Sequence, residues 1–590
     1  MCGILAATGK DTDTDEALRC LSHRGPDDRG VMRFPASGNN SGATLAQTRL
    51  AIIDLSSSGH QPMKDNARDI AVTFNGEIYN YKELRHELEA KGHMFSTQSD
   101  TEAILKAYLE YGEECPKHLD GMFAFVLWDN EKKQMFLARD RFGKKPLVYA
   151  YTDQGELVAS SEIKALRALG IKPQLDPAGL DLYLALMYSP PWRTVYKNVF
   201  TLLPAHCAVF KDGKLVAAKY WELPRAPLTI SYGDAKEELR RLFTDAVRKR
   251  MLAADVEVGS LLSGGVDSTL VTAYAQKFLD KPIKTFALGY GDTINELPFA
   301  EQASKAIGTD HYTLQATSNL TEELEHMLEY FDEPHGDSAD FPQHLVSGLA
   351  GSKVKVALAG DGGDELFLGY GNYFAYWNRP KLASLKNALF SNPYREHLRS
   401  ITVFPASMRR ELLKDTSGVG REAIDTLVPD MPGNGIDKIN MFDILTYLPG
   451  QLLTKVDQAS MMHSLEIRCP LLDYQLAEFA FNLPEEYKTD RKTGKIILKD
   501  LLRELMPNEF VDRKKQGFGA PVRKWLSEEK MQAYVRQQFA PNSPIFAVIN
   551  EKVALSFIEK TFSSQNPKYY YQLWVLLCLA IWMRVHQNAF

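Results

Sequence analysis

Short apolar runs recur along the whole chain, separated by polar, Gly- or Pro-containing segments. In the first half the clearest are Ile70–Phe74 and Phe123–Trp128. In the second half they are Val256–Leu262, Lys284–Leu288 and Lys355–Leu358, and Asp310-His311-Tyr312 opens another. Runs of this length, rich in β-branched and aromatic residues, predict strands. Between the later runs the spacing becomes helical. From Tyr232 onward Leu239, Leu242, Phe243 and Val247 fall on one face, and Ala300–Gly308 reads as a helix. This βαβ rhythm predicts a parallel sheet with helices on both faces, with substrates gathered at the carboxyl ends of its strands. The last apolar run, Leu573–Met583, is about half of the roughly 20 residues that a membrane-spanning helix needs. It predicts a buried core helix instead.

Bulk properties narrow the picture. A length of 590 residues predicts two or more domains. Polar, Pro-containing Trp221–Tyr232 reads as the crossover, with domains at 1–215 and 230–590. A net charge of −6 argues against a general nucleic-acid or anionic-membrane binder. Six cysteines without a CxxC pair fit free thiols in a reducing cytosol better than a disulfide framework or zinc site. The N-terminal stretch has neither a basic n-region nor a long apolar core, so it is no signal peptide and a cytoplasmic location is expected.

The richest chemistry follows the first strand of the second half, where Leu261 leads into Ser263-Gly264-Gly265-Val266-Asp267-Ser268. A strand, a tight Gly turn and a helix start offer backbone N–H groups to an anion. Paired glycines let the backbone approach phosphate oxygens, and Asp267 can hold a metal that neutralises them. A lone Gly-Gly would be an ordinary turn; six matching positions behind a strand favour phosphate chemistry. The pattern resembles the pyrophosphate loop of the ATP-pyrophosphatases. A second loop, Ala359-Gly360-Asp361-Gly362-Gly363-Asp364-Glu365, also leaves a strand and carries three carboxylates suited to Mg²⁺ and phosphate. Downstream come Lys455-Val456-Asp457, Leu465-Glu466-Ile467-Arg468-Cys469-Pro470, Lys495 and Lys514–Pro521.

The first half opens on Cys2 before Gly3. Removal of the initiator Met would leave a thiol and an α-amine on one residue. That amine titrates near pH ~8, so it can take the thiol proton. Behind it stand His23-Arg24-Gly25-Pro26-Asp27, Arg49-Leu50, Asn75-Gly76-Glu77, Ser99-Asp100 and Ala138-Arg139-Asp140. In this order they resemble class II glutamine amidotransferase domains, which implies an αββα Ntn-hydrolase sandwich. The resemblance makes Cys2 the nucleophile on the glutamine amide, and Asn75 with the Gly76 N–H the oxyanion hole. Arg49, Leu50, Asn75, Glu77 and Asp100 would bind glutamine, with Arg49 on its carboxylate and Asp100 on its ammonium.

With both halves together, nearly the whole chain resembles the glutamine-hydrolysing asparagine synthetases. That implies a C-terminal doubly wound parallel-sheet ATP-pyrophosphatase domain with extra helices. It implies ATP and Mg²⁺, transfer of AMP to the aspartate β-carboxylate, and displacement of AMP by ammonia that arrives through an internal tunnel. By motif, Leu261, Ser263, Gly264, Gly265, Asp267, Ser268, Leu288, Ala359 and Gly360 would contact ATP. Asp267 and Asp364 would hold the metal, and Asp361 and Lys495 would act in catalysis. The expected partners are glutamine, ATP and a small carboxylate, with a homodimer possible. One departure bears on the acceptor: synthetases of the best-known type carry Glu where this chain has Asp361. The same chemistry on another carboxylate, such as a uronic acid or a natural-product acid, stays open.

Overall fold

A computed structural model of the chain describes residues 2–9, 12–36, 42–65, 67–290, 295–316, 320–377, 393–417, 435–513 and 519–587. Residues 514–518 of the Lys514–Pro521 motif lie outside the described residues. The first twelve strands are β1 (Cys2–Thr8), β2 (Asp28–Phe34), β3 (Ala43–Arg49), β4 (Met63–Asp65), β5 (Ile70–Ile78), β6 (Gly121–Asp129), β7 (Gln134–Arg139), β8 (Val148–Tyr151), β9 (Leu157–Ser160), β10 (Val199–Thr201), β11 (His206–Lys211) and β12 (Lys214–Lys219). They form two six-stranded sheets, ordered β10-β8-β9-β1-β3-β2 and β12-β11-β7-β6-β5-β4. The pairings within both are antiparallel.

Strand alternation builds the layers. Along β6, Ala124, Val126 and Trp128 point between the sheets, where they meet Ile4, Ala6, Leu45 and Leu137. The residues between them, Phe123, Phe125 and Leu127, face outward against Leu84, Leu88 and Ile104 of helices Tyr81–Ala90 and Asp100–Tyr111. On the other side, Leu5 and Ala46 pack under Ala17, Leu18 and Ala165 of helices Asp15–Cys20 and Ile163–Ala168. The result is an αββα sandwich.

Residues 220–231 carry no helix or strand, and helix Tyr232–Leu252 follows. Next come β13 (Val258–Leu261), β14 (Lys284–Gly289), β15 (Asp310–Gln315), β16 (Val356–Leu358) and β17 (Glu466–Arg468). They make one sheet in the order β15-β14-β13-β16-β17, parallel throughout. The chain steps outward from β13 to β15, then returns to the other side of β13. The crevice between β13 and β16 is therefore the topological switch point, where ligands of open α/β sheets bind. Both glycine loops leave the sheet there. The strand β17 is not among the predicted ones: it is three residues long and two of them are charged, yet all are buried.

The predicted C-terminal core helix runs Pro567–Val585, capped by the Asn566 side chain with Pro567 in its first turn. Trp574 and Trp582 are fully buried, and Trp582 Nε1 donates to the Phe331 carbonyl at 3.0 Å. No helix among the described residues is long and apolar enough to cross a membrane. All six cysteines are free. Helix Pro177–Leu186 packs its Tyr183 against this helix, the hydroxyl donating to the Val575 carbonyl at 2.8 Å.

Candidate active site

Cys2 opens β1 and sits opposite Arg49 on β3, which buries it against the neighbouring strand. Its backbone nitrogen donates to Asn75 Oδ1 at 3.0 Å. Burial pushes the thiol up, against hydrogen bonds from the Leu50 N–H and the Gln47 side chain and the charge of Arg49. Asn75 is fully buried, and its Nδ2 has no hydrogen-bond partner among the described residues. An orphaned buried donor of this kind costs roughly 1–3 kcal/mol, and it is available to a ligand. Gly76 follows with φ +146°; a Cβ there would lie 2.0 Å from the Met122 carbonyl oxygen across the sheet. Only glycine keeps β5 and β6 paired at this point.

The expected glutamine-binding groups Arg49, Glu77 and Asp100 are all buried. The buried Arg49 guanidinium donates to the carbonyls of Ile53 at 3.1 Å, Asp54 at 2.6 Å and Ser56 at 3.3 Å. Gly59 makes room for it, since a Cβ would stand 2.0 Å from its Nη2. Asp100 begins helix Asp100–Tyr111 and accepts the Ile78 N–H at 3.0 Å; burial pushes its carboxyl up to about 6. Glu77 is buried 3.4 Å from Arg468 Nη2 of β17, and burial together with Glu466 holds its carboxyl well above the usual range. A surface fate for Glu77 and Asp100, common for carboxylates, does not apply here.

The second cluster lies at the ends of β13, β14 and β16, where Leu261, Leu288, Ala359 and Gly360 come together. Gly264 adopts φ +74°, and Gly265 caps helix Val266–Gln276 with its N–H bonded to Ser263 Oγ at 3.3 Å. Ser263 Oγ and Ser268 Oγ lie 3.1 Å apart across the turn. Lys495, buried and in a left-handed conformation ahead of helix Ile496–Leu502, places Nζ 2.5 Å from Asp267 and 2.9 Å from Asp364. Both carboxylates hold its ammonium charged, against the penalty of burial. Three glycines make this meeting possible. A Cβ at Gly363 would stand 2.2 Å from Asp267 Oδ1, one at Gly369 2.1 Å from Asp364 Oδ1, and one at Gly360 2.8 Å from Asp267 Cβ. Glu365, the third carboxylate of the loop, turns away into a buried contact with the Tyr370 hydroxyl. Asp361 stays beside the cluster; burial raises its carboxyl while Lys455 opposes the rise.

Several residues to which the sequence assigns no role join the two clusters. Arg24 is fully buried: its Nε donates to the Cys2 carbonyl at 3.2 Å, Nη1 to Glu162 at 2.8 Å and Nη2 to Asp457 at 2.8 Å. Lys145 also meets Asp457, at 3.4 Å. Behind this bridge lies a cavity of 10 Å³ lined by Lys144, Lys145, Val456, Asp457, Ile467 and Cys469, about the space one water-sized molecule needs. At its far side Cys469 Sγ is 3.9 Å from Asp361 Oδ2. Arg513 donates to the Gly264 carbonyl at 2.7 Å and stacks on Phe299. Arg24, Asp457 and Arg468 stand inside the recognised motifs, so the sequence carried their signal but not their partners. Gln47 and Arg513 carried none.

Two family models match successive parts of the chain. A family model described as asparagine synthase matches residues 238–584, and one described as a glutamine amidotransferase domain matches residues 1–221. The glutamine-hydrolyzing asparagine synthetase 1 of Bacillus subtilis (strain 168) is 30% identical over 99% of this chain and 97% of its own length. A putative glutamine-hydrolyzing asparagine synthetase of Mycobacterium tuberculosis (strain ATCC 25618 / H37Rv) is 33% identical over 89% and 88%. A protein named amidase chyE, of Penicillium rubens, is 26% identical over 94% and 91%. With a family match over more than half of the chain, and a relative at 30% identity along almost all of it, the chain belongs to the asparagine synthase family of glutamine-dependent amidotransferases.

Proposed function

We propose that the protein amidates aspartate to asparagine, using ATP and ammonia released from glutamine, with the glutaminase in residues 1–215 and the synthetase in 230–590. The observation that carries this reading is the run of buried contacts from Cys2 through Arg24 and Asp457 to the cavity beside Asp361. Buried side chains join the two clusters.

In the first step the Cys2 thiol attacks the glutamine side-chain amide. With Met1 removed, the nitrogen now bonded to Asn75 Oδ1 becomes the α-amine that accepts the thiol proton. Asn75 Nδ2 and the Gly76 N–H receive the developing oxyanion, an arrangement whose single donors are worth about 10²–10³ in rate. Ammonia leaves, and water releases glutamate from the thioester. Arg49 holds the glutamine carboxylate and Asp100 its ammonium.

In the second cluster the aspartate β-carboxylate attacks the α-phosphorus of ATP, giving β-aspartyl-AMP and pyrophosphate. Ser263, Gly264, Gly265 and Ser268 cradle the pyrophosphate, and Lys495 neutralises it. Leu261, Leu288, Ala359 and Gly360 contact the nucleotide. Asp267 and Asp364 fit a magnesium ion: both are hard oxygen donors, both reach one Lys495 ammonium, and glycines 363 and 369 keep side chains out of the space. When bound, that ion neutralises phosphate charge. Ammonia then attacks the acyl carbon, AMP departs, and Asp361 takes the proton that ammonia sheds. Release in a closed path keeps the nitrogen as ammonia, which free solution at neutral pH would protonate.

A second reading has the same steps on another carboxylate, such as a uronic acid or a natural-product acid. It is favoured by the shorter acid at Asp361 and by relatives named amidases. The deciding measurement is pyrophosphate release from ATP as a function of added acid. Aspartate-dependent release supports asparagine synthesis; release only with another acid selects the second reading.

A further inference from the structure

Outside both clusters, helix Leu320–Tyr330 presents Glu323 and His326 one turn apart, and helix Asp340–Gly351 presents His344 to them. One donor atom from each of the three lies within 4.8 Å of the other two. His344 is buried, with Nε2 3.0 Å from Glu323 Oε2. Its other nitrogen, Nδ1, is 3.1 Å from His463 Nε2, in the turn after helix Leu453–Met461. The helix is shaped for His463: a Cβ at Gly348 would stand 3.1 Å from its ring and one at Gly351 2.7 Å from its carbonyl oxygen.

We propose that Glu323, His326 and His344 form a binding site for a divalent transition metal of the zinc class. Two imidazoles and one carboxylate suit zinc and its neighbours in the series, and suit magnesium or calcium poorly. Donors around one zinc ion at about 2.1 Å stand roughly 3.4 Å apart. The Glu323–His344 pair is already that close, and exposed His326 has freedom to close the remainder. A metal on Nε2 requires His344 to carry its proton on Nδ1, and His463 Nε2 is the acceptor placed to hold that tautomer. This is the usual outer partner of a metal-bound histidine. The site also borders the glutaminase. Tyr330 touches both the His326 ring, with centroids 5.2 Å apart, and the His23 ring at 5.1 Å. Ser464 Oγ, next to His463, donates to the His23 carbonyl at 2.7 Å. A bound ion would clip the two helices beside the His23–Arg24 loop.

The test uses the tag-free full-length chain, stripped with a chelator, loaded with zinc and passed over a desalting column before metal counting. The expected result is one zinc per chain, lost in His326→Ala and Glu323→Gln and weakened about 10–100-fold in His463→Ala. Cobalt in place of zinc should give a visible d–d absorption band in the wild type that is missing in His326→Ala. His326 is exposed, so that variant should fold, with an unchanged circular dichroism spectrum and unchanged glutaminase activity. Failure of the wild type to retain zinc, or equal retention by His326→Ala and Glu323→Gln, would overturn the proposal.

Discussion

In the antiparallel sandwich the reactive groups sit on strands, between walls that are already complete. Asn75 Nδ2 is buried without a partner among the described residues, and Gly76 is fixed by the sheet behind it. In the parallel-sheet half the reactive groups sit on loops, and they satisfy one another: Lys495 bonds both Asp267 and Asp364. In the proposed reaction the first arrangement keeps the Asn75 Nδ2 donor for an oxyanion, so it is preorganised in the sense that matters for catalysis. In the proposed reaction the second must trade its ion pairs for phosphate and metal before it can act. A glutaminase that works alone and a synthetase that works only when loaded is the behaviour this difference predicts.

The sharpest break in the comparison comes from removing one member of each cluster. Cys2→Ala should abolish glutamate release while AMP formation with added ammonia stays within about twofold of wild type. Asp267→Ala should abolish AMP formation from either nitrogen source and leave glutamate release in place, measured without ATP. Loss of the ammonia-dependent reaction in correctly folded Cys2→Ala would show that the two sites do not divide the work. Next in size is Gly76→Ala. Its Cβ would press on the Met122 carbonyl at a φ that costs a non-glycine residue about 1–3 kcal/mol. Displacing the Gly76 N–H should lower glutamate release about 10²–10³-fold, again with AMP formation from ammonia spared.

The contrast also explains what could be read in advance. The parallel sheet was legible because apolar periodicity is local, whereas the sandwich was legible only through the resemblance carried by the motifs behind Cys2; the glycine loops stood out because residue types that suit phosphate chemistry recur there at fixed spacings. What was not legible is pairing at long range. The strand Glu466–Arg468 is too short and too charged to look like a strand. It is a strand because Arg468 finds Glu466 at 2.6 Å and the Arg250 carbonyl at 2.6 Å, the latter more than two hundred residues away. Arg24 is similar: its motif is plain, but its partner Asp457 belongs to the other half. Lys495, placed by motif alone in the sequence, is buried by contacts with two distant loops.

That bridge gives a smaller effect than the catalytic variants. Asp457→Asn keeps the shape of the side chain and removes the charge that faces Arg24 and Lys145. Arg24 retains Glu162, so the fold should hold. The junction should loosen, however, and ammonia should escape. The ratio of glutamate to AMP formed at saturating glutamine should rise from near one to about two or more. An unchanged ratio would separate the bridge from the coupling of the two sites.

The mildest test needs no variant at first. Burial lifts the Asp100 carboxyl to about 6, and in the proposed site only its ionised form pairs with the glutamine ammonium. Ionisation is nearly complete at pH 8, half at about 6 and about one tenth at pH 5. The KM for glutamine, measured by glutamate release without ATP, should therefore rise about tenfold as pH falls from 7 to 5. Glu77, also raised by burial, shifts in the same direction. Asp100→Asn should raise KM at pH 7 and flatten this dependence, which a purely structural role for Asp100 would not do. A KM that stays flat from pH 7 to 5 in the wild type would mean that the ammonium is held elsewhere, and that the pocket at the start of helix Asp100–Tyr111 serves the fold rather than the substrate.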